Sequence, residues 1–387
     1  MGRLMKKLKE FQNKQKCTLL GIGPMSKNCV DSTIEISNEY NIPLMLIASR
    51  RQIECEEFGR GYVNNWSTED FTKYVKKKDL KEQIILCRDH GGPWQNEFEK
   101  ERNLSIPETM KTAKKSFEKD IESGFEIIHI DSSTDTVSEL TIDEILDRNF
   151  ELYEHLWQFS KKLNKKIEFE LSIGKEDGGI HTLEEIKYAL DKILKFCSMK
   201  KIPTPLFLVI RTGNYVMEAK NVGNFKEIFS NRSTDSTYNN LKLIIELLNQ
   251  NGIMLKEHNT DFLSDELLKF HVDLGIHACN VAPEFGIIET KTFLDLLKKF
   301  ELDNEIDEFI ELSYNSTKWE KWILPNSKLE KMDKAIISGH YIFSSPQFMN
   351  LKNKVKTKIP LDVDEFLKKE IKKCILRYIF SFNCVQK

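Results

Sequence analysis

The sequence predicts an α/β fold, a closed (β/α)8 TIM barrel with a C-terminal helical extension. Eight short apolar runs alternate with segments of helical periodicity, and this alternation is typical of parallel strands joined by helices. Each apolar run ends in polar residues. In barrels of this kind, catalytic residues lie at the C-terminal ends of the strands. The chain has 387 residues, enough for a barrel of about 250 residues and an extension.

The predicted strands are apolar runs that stop at glycine, proline or polar residues. The first run closes in the turn sequence of residues 21–24, and the third closes in residues 89–93, Asp-His-Gly-Gly-Pro. We place the eight strands at residues 18–22, 43–48, 84–93, 125–130, 166–173, 205–210, 252–256 and 276–281.

The segments between these runs carry apolar residues at helical spacing together with helix start and stop signals. Ser67 and Asp70 fit a capping box, and Gly124 and Gly275 are placed to end helices. We place helices at residues 28–40, 67–78, 108–123, 141–163, 182 onward, 236–248, 264–274 and 290–300. We assign residues 1–300 to the barrel and residues 301–387 to a helical extension packed on it.

Composition excludes several classes of protein. The 58 basic and 60 acidic residues leave a net charge of -2, so we expect neither nucleic acid nor a membrane as partner. No apolar run approaches the roughly 20 residues of a membrane span, and the basic start lacks the apolar segment of a signal peptide. The eight cysteines form no CxxC pair, so we expect reduced core residues and a cytoplasmic location.

The third strand carries the strongest chemical signal. His90 at its end is suited to ligate a metal, and the adjacent Asp89 is suited to move a proton. The structural alternative is a hydrogen-bonded strand cap. The following Gly91 and Gly92 favour function, because they let a ligand approach the backbone. His258 ends the seventh strand and is a candidate second ligand across the barrel mouth.

The fifth strand carries two acids, Glu168 and Glu170, in a segment otherwise suited to burial. A buried carboxylate needs a metal, a proton or a cation as partner. Glu170 is therefore a candidate catalytic residue and metal ligand. A salt bridge to Arg211 or Lys256 is the structural alternative.

Further polar residues at strand ends are candidates for substrate contact. His129 and Asp131 share a strand face, so one of them could point at the site. Glycine turns can offer backbone N–H groups to a phosphate, although ordinary turns explain them equally well. The candidates for substrate or phosphate contact are Arg50, Arg51, Asp131, Gly178, Gly179, Arg211, Gly213, Asn214, Asn259, Thr260, Asp261 and Asn280. The remaining histidines, interpreted as surface or packing residues, are His155, His181, His271, His277 and His340.

In this set of strand ends the chain resembles the zinc-dependent class II ketose-bisphosphate aldolases. It resembles more closely the accessory (Z-type) subunits of tagatose-bisphosphate aldolase from the galactitol and N-acetylgalactosamine pathways. The resemblance runs from about residue 18 to about residue 341. It is carried by residues 89–93, 124–133, 170–171, 258–261 and 280–282.

The resemblance implies a TIM barrel that binds phosphorylated sugars. Carried over residue by residue, it implies that Asp89 is the proton donor or base and that His90 binds zinc. It also implies that Asn280 contacts the dihydroxyacetone phosphate unit of the substrate. The implied activity is a class II aldol or retro-aldol reaction on a phosphorylated ketose in carbohydrate metabolism.

Two departures from the aldolase pattern shape the expected site. The sixth strand is followed by Arg211 where the family has a run with a zinc-binding histidine, and His258 stands one place later than its counterpart. We therefore expect a divalent metal, zinc being favoured, on His90, His258 and Glu170, with an open position.

Two alternatives stay open. The chain is either an enzyme by itself or a non-catalytic accessory subunit that stabilises a separate tagatose-bisphosphate aldolase subunit. The expected partners are thus a phosphorylated sugar and either a catalytic class II aldolase subunit or a second copy. A Schiff-base mechanism on Lys256 is a weaker reading.

Overall fold

The computed structural model describes residues 3–175, 177–232 and 234–385, and it confirms the (β/α)8 barrel. The outermost residues of the two predicted domains, 1–2 and 386–387, lie outside this description. The strands are β1 (Leu19–Ile22), β2 (Leu44–Ser49), β3 (Ile84–Gly91), β4 (Ile127–Ile130), β5 (Glu168–Leu171), β6 (Phe207–Val209), β7 (Val216–Met217), β8 (Lys220–Asn221), β9 (Met254–Glu257) and β10 (Ala278–Val281).

Eight of these strands close the barrel in the order β1-β10-β9-β6-β5-β4-β3-β2, with parallel pairing throughout. They coincide with the eight predicted runs, because most residues of each run are apolar and are buried between the barrel interior and the helices. The two-stranded β7-β8 hairpin lies outside the barrel, in the loop after β6.

The helices surround the barrel and continue into the extension. They are α1 (Arg3–Gln15), α2 (Lys27–Tyr40), α3 (Thr68–Lys78), α4 (Glu97–Glu101), α5 (Ile106–Ser123), α6 (Ile142–Lys162), α7 (Leu183–Lys200), α8 (Phe225–Ser230), α9 (Ser236–Gln250), α10 (Asp265–Leu274), α11 (Pro283–Lys299), α12 (Asp303–Asn315), α13 (Lys331–Ser338), α14 (Pro346–Lys358) and α15 (Val363–Ser381).

Local signals account for most helix ends. The capping box of Ser67 and Asp70 is formed, and Gly124 and Gly275 end their helices in the left-handed conformation. The predicted start at residue 290 is wrong, because α11 begins at Pro283, and proline is favoured in the first helical turn.

Helix α1 was not predicted from the basic start of the chain. Its apolar side chains Met5 and Leu8 are buried. Lys9 donates to the Gly252 carbonyl, and Gln12 donates to the His277 carbonyl. Both carbonyls lie just before a barrel strand. The helix therefore covers the N-terminal end of the barrel and leaves the opposite end open for a site.

The extension builds a second apolar core on α11, which includes Phe293, Phe309 and Phe348. A single 3-10 turn, Glu320–Trp322, reaches back to the open end of the barrel. It is fixed there by a hydrogen bond from the Glu218 amide to the Trp322 carbonyl, 2.8 Å long. All eight cysteines of the chain are free and buried. In the described chain, every helix is too short or too polar to cross a lipid bilayer.

Candidate metal centre and active site

Three imidazole rings meet at the C-terminal end of the barrel. They belong to His90 at the end of β3, His129 in β4 and His258 directly after β9. The ring centroids are 5.3 Å apart for His90 and His129, 5.0 Å for His90 and His258, and 5.2 Å for His129 and His258. One nitrogen from each ring lies within 4.8 Å of the others.

His90 and His258 thus lie together, as the sequence analysis expected. The third ring is that of His129 in β4, which was considered only as a residue that could point at the site and not as a metal ligand. The available signal was a histidine inside the apolar run of residues 127–130, a polar residue that a buried strand carries only with a partner.

Hydrogen bonds fix the orientation of two of the rings. His90 Nδ1 lies 2.8 Å from Asp131 Oδ2; the carboxylate accepts, so Nδ1 is the donor and Nε2 keeps its lone pair. His129 Nδ1 accepts the backbone N–H of His90 at 3.1 Å, so its proton is on Nε2, which lies 2.8 Å from Ser172 Oγ. Such outer partners orient the imidazoles that bind metals in other proteins.

Asp89 faces the three rings. Its carboxylate lies 3.5 Å from His129 Nδ1 and 3.9 Å from His258 Nε2, and its Oδ1 accepts the Asn280 amide N–H at 3.2 Å. Burial opposes ionisation of Asp89, but the imidazoles, His90 foremost, outweigh it and hold the pKa of this carboxyl well below its usual range. Asp89 is therefore ionised at neutral pH.

Glu170 lies directly below the rings, with no exposed surface. Its Oε2 accepts from Lys256 Nζ at 2.6 Å, and its Oε1 lies 3.0 Å from His258 Nε2. Burial opposes its ionisation, but Lys256 and then His129 outweigh burial and lower the pKa of Glu170 to about 2. The salt bridge weighed as the structural alternative is therefore present, with Lys256 as the partner.

The backbone of the Asp-His-Gly-Gly turn is strained at the site. His90 has a φ of 42°, which is uncommon for a residue with a side chain. Gly92 has a φ of 152°, and a Cβ there would lie 2.2 Å from the Asp131 carbonyl oxygen. The turn therefore requires glycine, and residues held in rare backbone regions cluster at functional sites.

A cavity of about 420 Å³ opens above the three rings. The sequence-predicted residues that line it are Arg51, Asp89, His90, Asp131, His258, Asn259, Asp261 and Asn280. The extension contributes Lys321, Trp322 and Tyr341 to the same cavity, none of which was predicted.

The cationic wall of the cavity consists of Arg51 and Lys321. Arg51 Nε lies 3.8 Å from Glu97 Oε1 and forms no hydrogen bond within the described chain. Lys321 Nζ lies 4.9 Å from the centre of the Tyr341 ring and is exposed to the cavity. Burial and then Arg51 lower the pKa of Lys321 to about 7. An anionic substituent bound at this wall would favour the charged form of the lysine.

Arg50, predicted beside Arg51 as a phosphate ligand, does not reach the cavity. Its guanidinium is buried, donates to Glu54 and Glu99 at 2.6 Å each, and also donates to the Gly92 carbonyl at 2.8 Å. Two carboxylates already neutralise this guanidinium, and Arg50 does not line the cavity, so the phosphate role of Arg50 stays an untested prediction. Its bond to Gly92 supports the strained turn instead.

Six further candidates do not line the cavity. Arg211 pairs with Asp177 at 2.8 Å and donates to His181, whose pKa burial and Arg211 lower to about 3. Gly179 donates its N–H to Asp177. The cavity lining does not include the six residues predicted to contact phosphate in this part of the chain, and their phosphate role stays a prediction: Gly178, Gly179, Arg211, Gly213, Asn214 and Thr260.

Asp261 lies on the cavity wall and accepts the N–H groups of Ala282 and Glu284 at the start of α11. Burial and then the nearby Glu284 carboxylate raise the pKa of Asp261 to about 8. This carboxyl is therefore protonated at neutral pH, in contrast to Asp89.

The residues fit a divalent metal. Three imidazoles and a facing carboxylate are the donor set that zinc takes in proteins. The proton assignments leave a lone pair on His90 Nε2 and another on His129 Nδ1, which at present faces the His90 amide. Glu170, predicted as a ligand, belongs to a second possible metal-binding group with Asp89, His129 and His258, and its oxygens also contact Lys256 and His258.

Comparisons with solved structures support the fold. A structure described as a probable tagatose 6 phosphate kinase from Sinorhizobium meliloti 1021 superposes with a TM-score of 0.71 at 14% identity, over 94% of this chain and 100% of that chain. A fructose-bisphosphate aldolase from Campylobacter jejuni superposes with a TM-score of 0.55 at 13% identity, over 99% and 94% of the two chains. No family model and no curated protein matches the chain. The chain therefore shares its fold with these structures at low sequence identity.

Proposed function

We propose that the protein is a metal-dependent aldolase that makes or breaks a carbon–carbon bond beside the carbonyl of a phosphorylated ketose. The observation that carries this proposal is the group of His90, His129 and His258 facing Asp89 at the barrel mouth. When bound there, a divalent metal such as zinc supplies a Lewis acid for the substrate carbonyl oxygen.

Asp89 is the proposed proton carrier. In the cleavage direction it accepts the proton of the substrate hydroxyl, the carbon–carbon bond breaks, and that hydroxyl carbon becomes an aldehyde. The electron pair passes to the carbon beside the ketose carbonyl, which then takes up a proton. Asn280 donates to Asp89 Oδ1, so it orients the carboxylate and presents its own amide to the ketose.

The phosphorylated end of the sugar is assigned to the cationic wall. Arg51 and Lys321 line the cavity from two different parts of the chain. Among the described residues no carboxylate forms an ion pair with Lys321. A phosphate dianion there replaces repulsion between two cations with charge-assisted hydrogen bonds. Trp322 and Tyr341 complete the wall beside it.

A Schiff-base mechanism on Lys256 is disfavoured. Burial works against its charged form, but the Glu170 carboxylate outweighs burial and raises the pKa of Lys256. The amine stays protonated and lacks the lone pair that attack on a carbonyl needs.

The accessory-subunit alternative was motivated by the missing histidine after the sixth strand and by the closer resemblance to the accessory subunits. His129 supplies a third imidazole, so the chain has a complete donor set of its own. One structure with this fold is a fructose-bisphosphate aldolase, and the proposed reaction is of that class.

The proposal is tested by metal content and by retro-aldol activity on a panel of ketose mono- and bisphosphates. We expect a chelated protein to regain activity with Zn²⁺, Co²⁺ or Mn²⁺. A protein that keeps no metal and cleaves no sugar phosphate after reconstitution contradicts the proposal. Co-purification with a separate class II aldolase that is unstable alone supports the accessory role instead.

A further inference from the structure

A second group of metal-ligating side chains lies outside the barrel mouth, between the strands and the helix layer. Glu257 ends β9, Cys279 lies in β10 and His271 lies in α10. Successive side chains of a strand point to opposite faces. Glu257 and Cys279 therefore point away from the cavity that their neighbours His258 and Asn280 line.

The three side chains are enclosed. Glu257 is 1% exposed, and His271 and Cys279 are fully buried. One ligand atom from each residue lies within 4.8 Å of the others. A buried carboxylate needs a hydrogen-bond donor, a proton or a cation as partner.

The proton on His271 can be placed. Its Nδ1 lies 2.7 Å from the Leu267 carbonyl oxygen, and a carbonyl oxygen only accepts, so Nδ1 carries the proton. Its Nε2 then faces Glu257 Oε2 at 3.0 Å. Neither Nε2 nor Oε2 has a hydrogen-bond partner among the described residues. Two lone pairs so close repel each other unless a cation lies between them.

A metal ion fits this geometry better than a second proton on His271. If His271 Nε2 carried a proton, it would donate a hydrogen bond to the Glu257 carboxylate. The contact between Nε2 and Oε2 does not have the geometry of a hydrogen bond. Two ligand atoms at roughly 2.0–2.1 Å from a tetrahedral zinc lie about 3.3 Å apart. The observed 3.0 Å is close to that separation.

The charges also balance. A divalent cation with one thiolate, one carboxylate and one neutral imidazole has zero net charge, as a buried site favours. Metal binding at this site would release the thiol proton of Cys279 to solvent. Asn214 Nδ2 donates to the other oxygen of Glu257 and orients the carboxylate.

We propose that Glu257, His271 and Cys279 form a structural metal site, for zinc or a similar divalent cation, that ties β9 and β10 to α10. The site is independent of the proposed aldolase reaction. Because Glu257 and Cys279 are next in sequence to His258 and Asn280, a metal there would also hold these two cavity residues in place.

The test is cobalt substitution of the full chain followed by near-ultraviolet absorption spectroscopy. A thiolate bound to Co²⁺ gives a charge-transfer band, whereas a cobalt ion on three imidazoles and a carboxylate has no thiolate to give one. We expect the band in the wild type, its loss in Cys279→Ser and His271→Gln, and its retention in Cys87→Ser, which alters a buried cysteine of β3. We expect it to persist in His129→Ala, because that change affects only the first site.

A wild-type protein without the band overturns the proposal, and so does a band that survives Cys279→Ser. Chelation in the His129→Ala background provides a second readout, in which we expect the midpoint of thermal unfolding to fall. The same chelation should leave that midpoint unchanged in the His129→Ala/Cys279→Ser double variant. Failure of the aldolase assay with retention of the band would refute the proposed function and leave this site standing.

Discussion

Lys256 Nζ lies 2.6 Å from Glu170 Oε2, and both side chains are enclosed below the candidate metal centre. Removing one partner of a buried ion pair leaves an unpaired charge and costs about 3–5 kcal/mol. We expect Lys256→Met to lower the free energy of unfolding by about this amount in urea titrations. The double variant Lys256→Met/Glu170→Gln should recover part of the loss. Equal losses in the single and double variants would show that the pair is not coupled.

Borohydride treatment with substrate separates the two aldolase mechanisms. Because Lys256 is held charged by Glu170, we expect no covalent adduct on it by mass spectrometry of the digested protein. A substrate-dependent mass increase on the Lys256 peptide would contradict the metal-assisted mechanism.

His129→Ala should abolish metal retention at the barrel mouth and reduce retro-aldol activity by at least about a thousandfold, because it removes one of three imidazole ligands. The matched control is His155→Ala, which changes a histidine on α6 that pairs with Glu118 away from the cavity. Elemental analysis and kcat are the measurements. Full activity with bound metal in His129→Ala would exclude this residue as a ligand.

Lys321→Ala should raise KM for a phosphorylated ketose about tenfold or more while kcat changes little, because a hydrogen bond to a charged group contributes about 1.5–3 kcal/mol. Lys328→Ala is the control, since this exposed lysine lies in the same segment but does not line the cavity. An equal rise of KM in both variants would indicate a general charge effect instead of a specific contact.

Asp261→Asn should change how stability depends on pH. The pKa of Asp261 is raised from 3.8 to about 8 in the folded protein. Between these values the unfolded chain has released the proton that the folded chain retains, so stability falls as pH rises. Asparagine keeps the oxygen that accepts from Ala282 and Glu284 but does not titrate. We expect a shallower fall in the free energy of unfolding from pH 4 to pH 8, measured against the surface control Asp191→Asn.

Arg50→Met should destabilise the fold without a specific loss of phosphate affinity. Its guanidinium is enclosed by Glu54 and Glu99, which would be left as unpaired buried carboxylates. Urea unfolding together with KM for the phosphorylated substrate measures the two effects. A large rise in KM with unchanged stability would instead support the predicted phosphate role of Arg50.

The barrel was predictable because each of its strands is buried on both faces, and the sequence of such a strand is a short, mostly apolar run. The pair Asp89-His90 was predictable for a related reason, since polar residues that end such a run lie at the rim. Helix α1 and the early start of α11 were missed. The first has a basic, weakly apolar sequence, and its burial depends on the barrel end that it covers.

Along the sequence alone, the apolar runs and their polar ends determined a (β/α)8 barrel with chemistry at the mouth, because the period and length of a run are local properties. Only the tertiary structure decided that His129 joins His90 and His258, that Arg50 is enclosed while the neighbouring Arg51 reaches the cavity, and that Lys321 returns to the site. These outcomes depend on which strands become neighbours and on which carboxylates are close enough to neutralise a cation. Both are set by contacts between residues far apart in the chain.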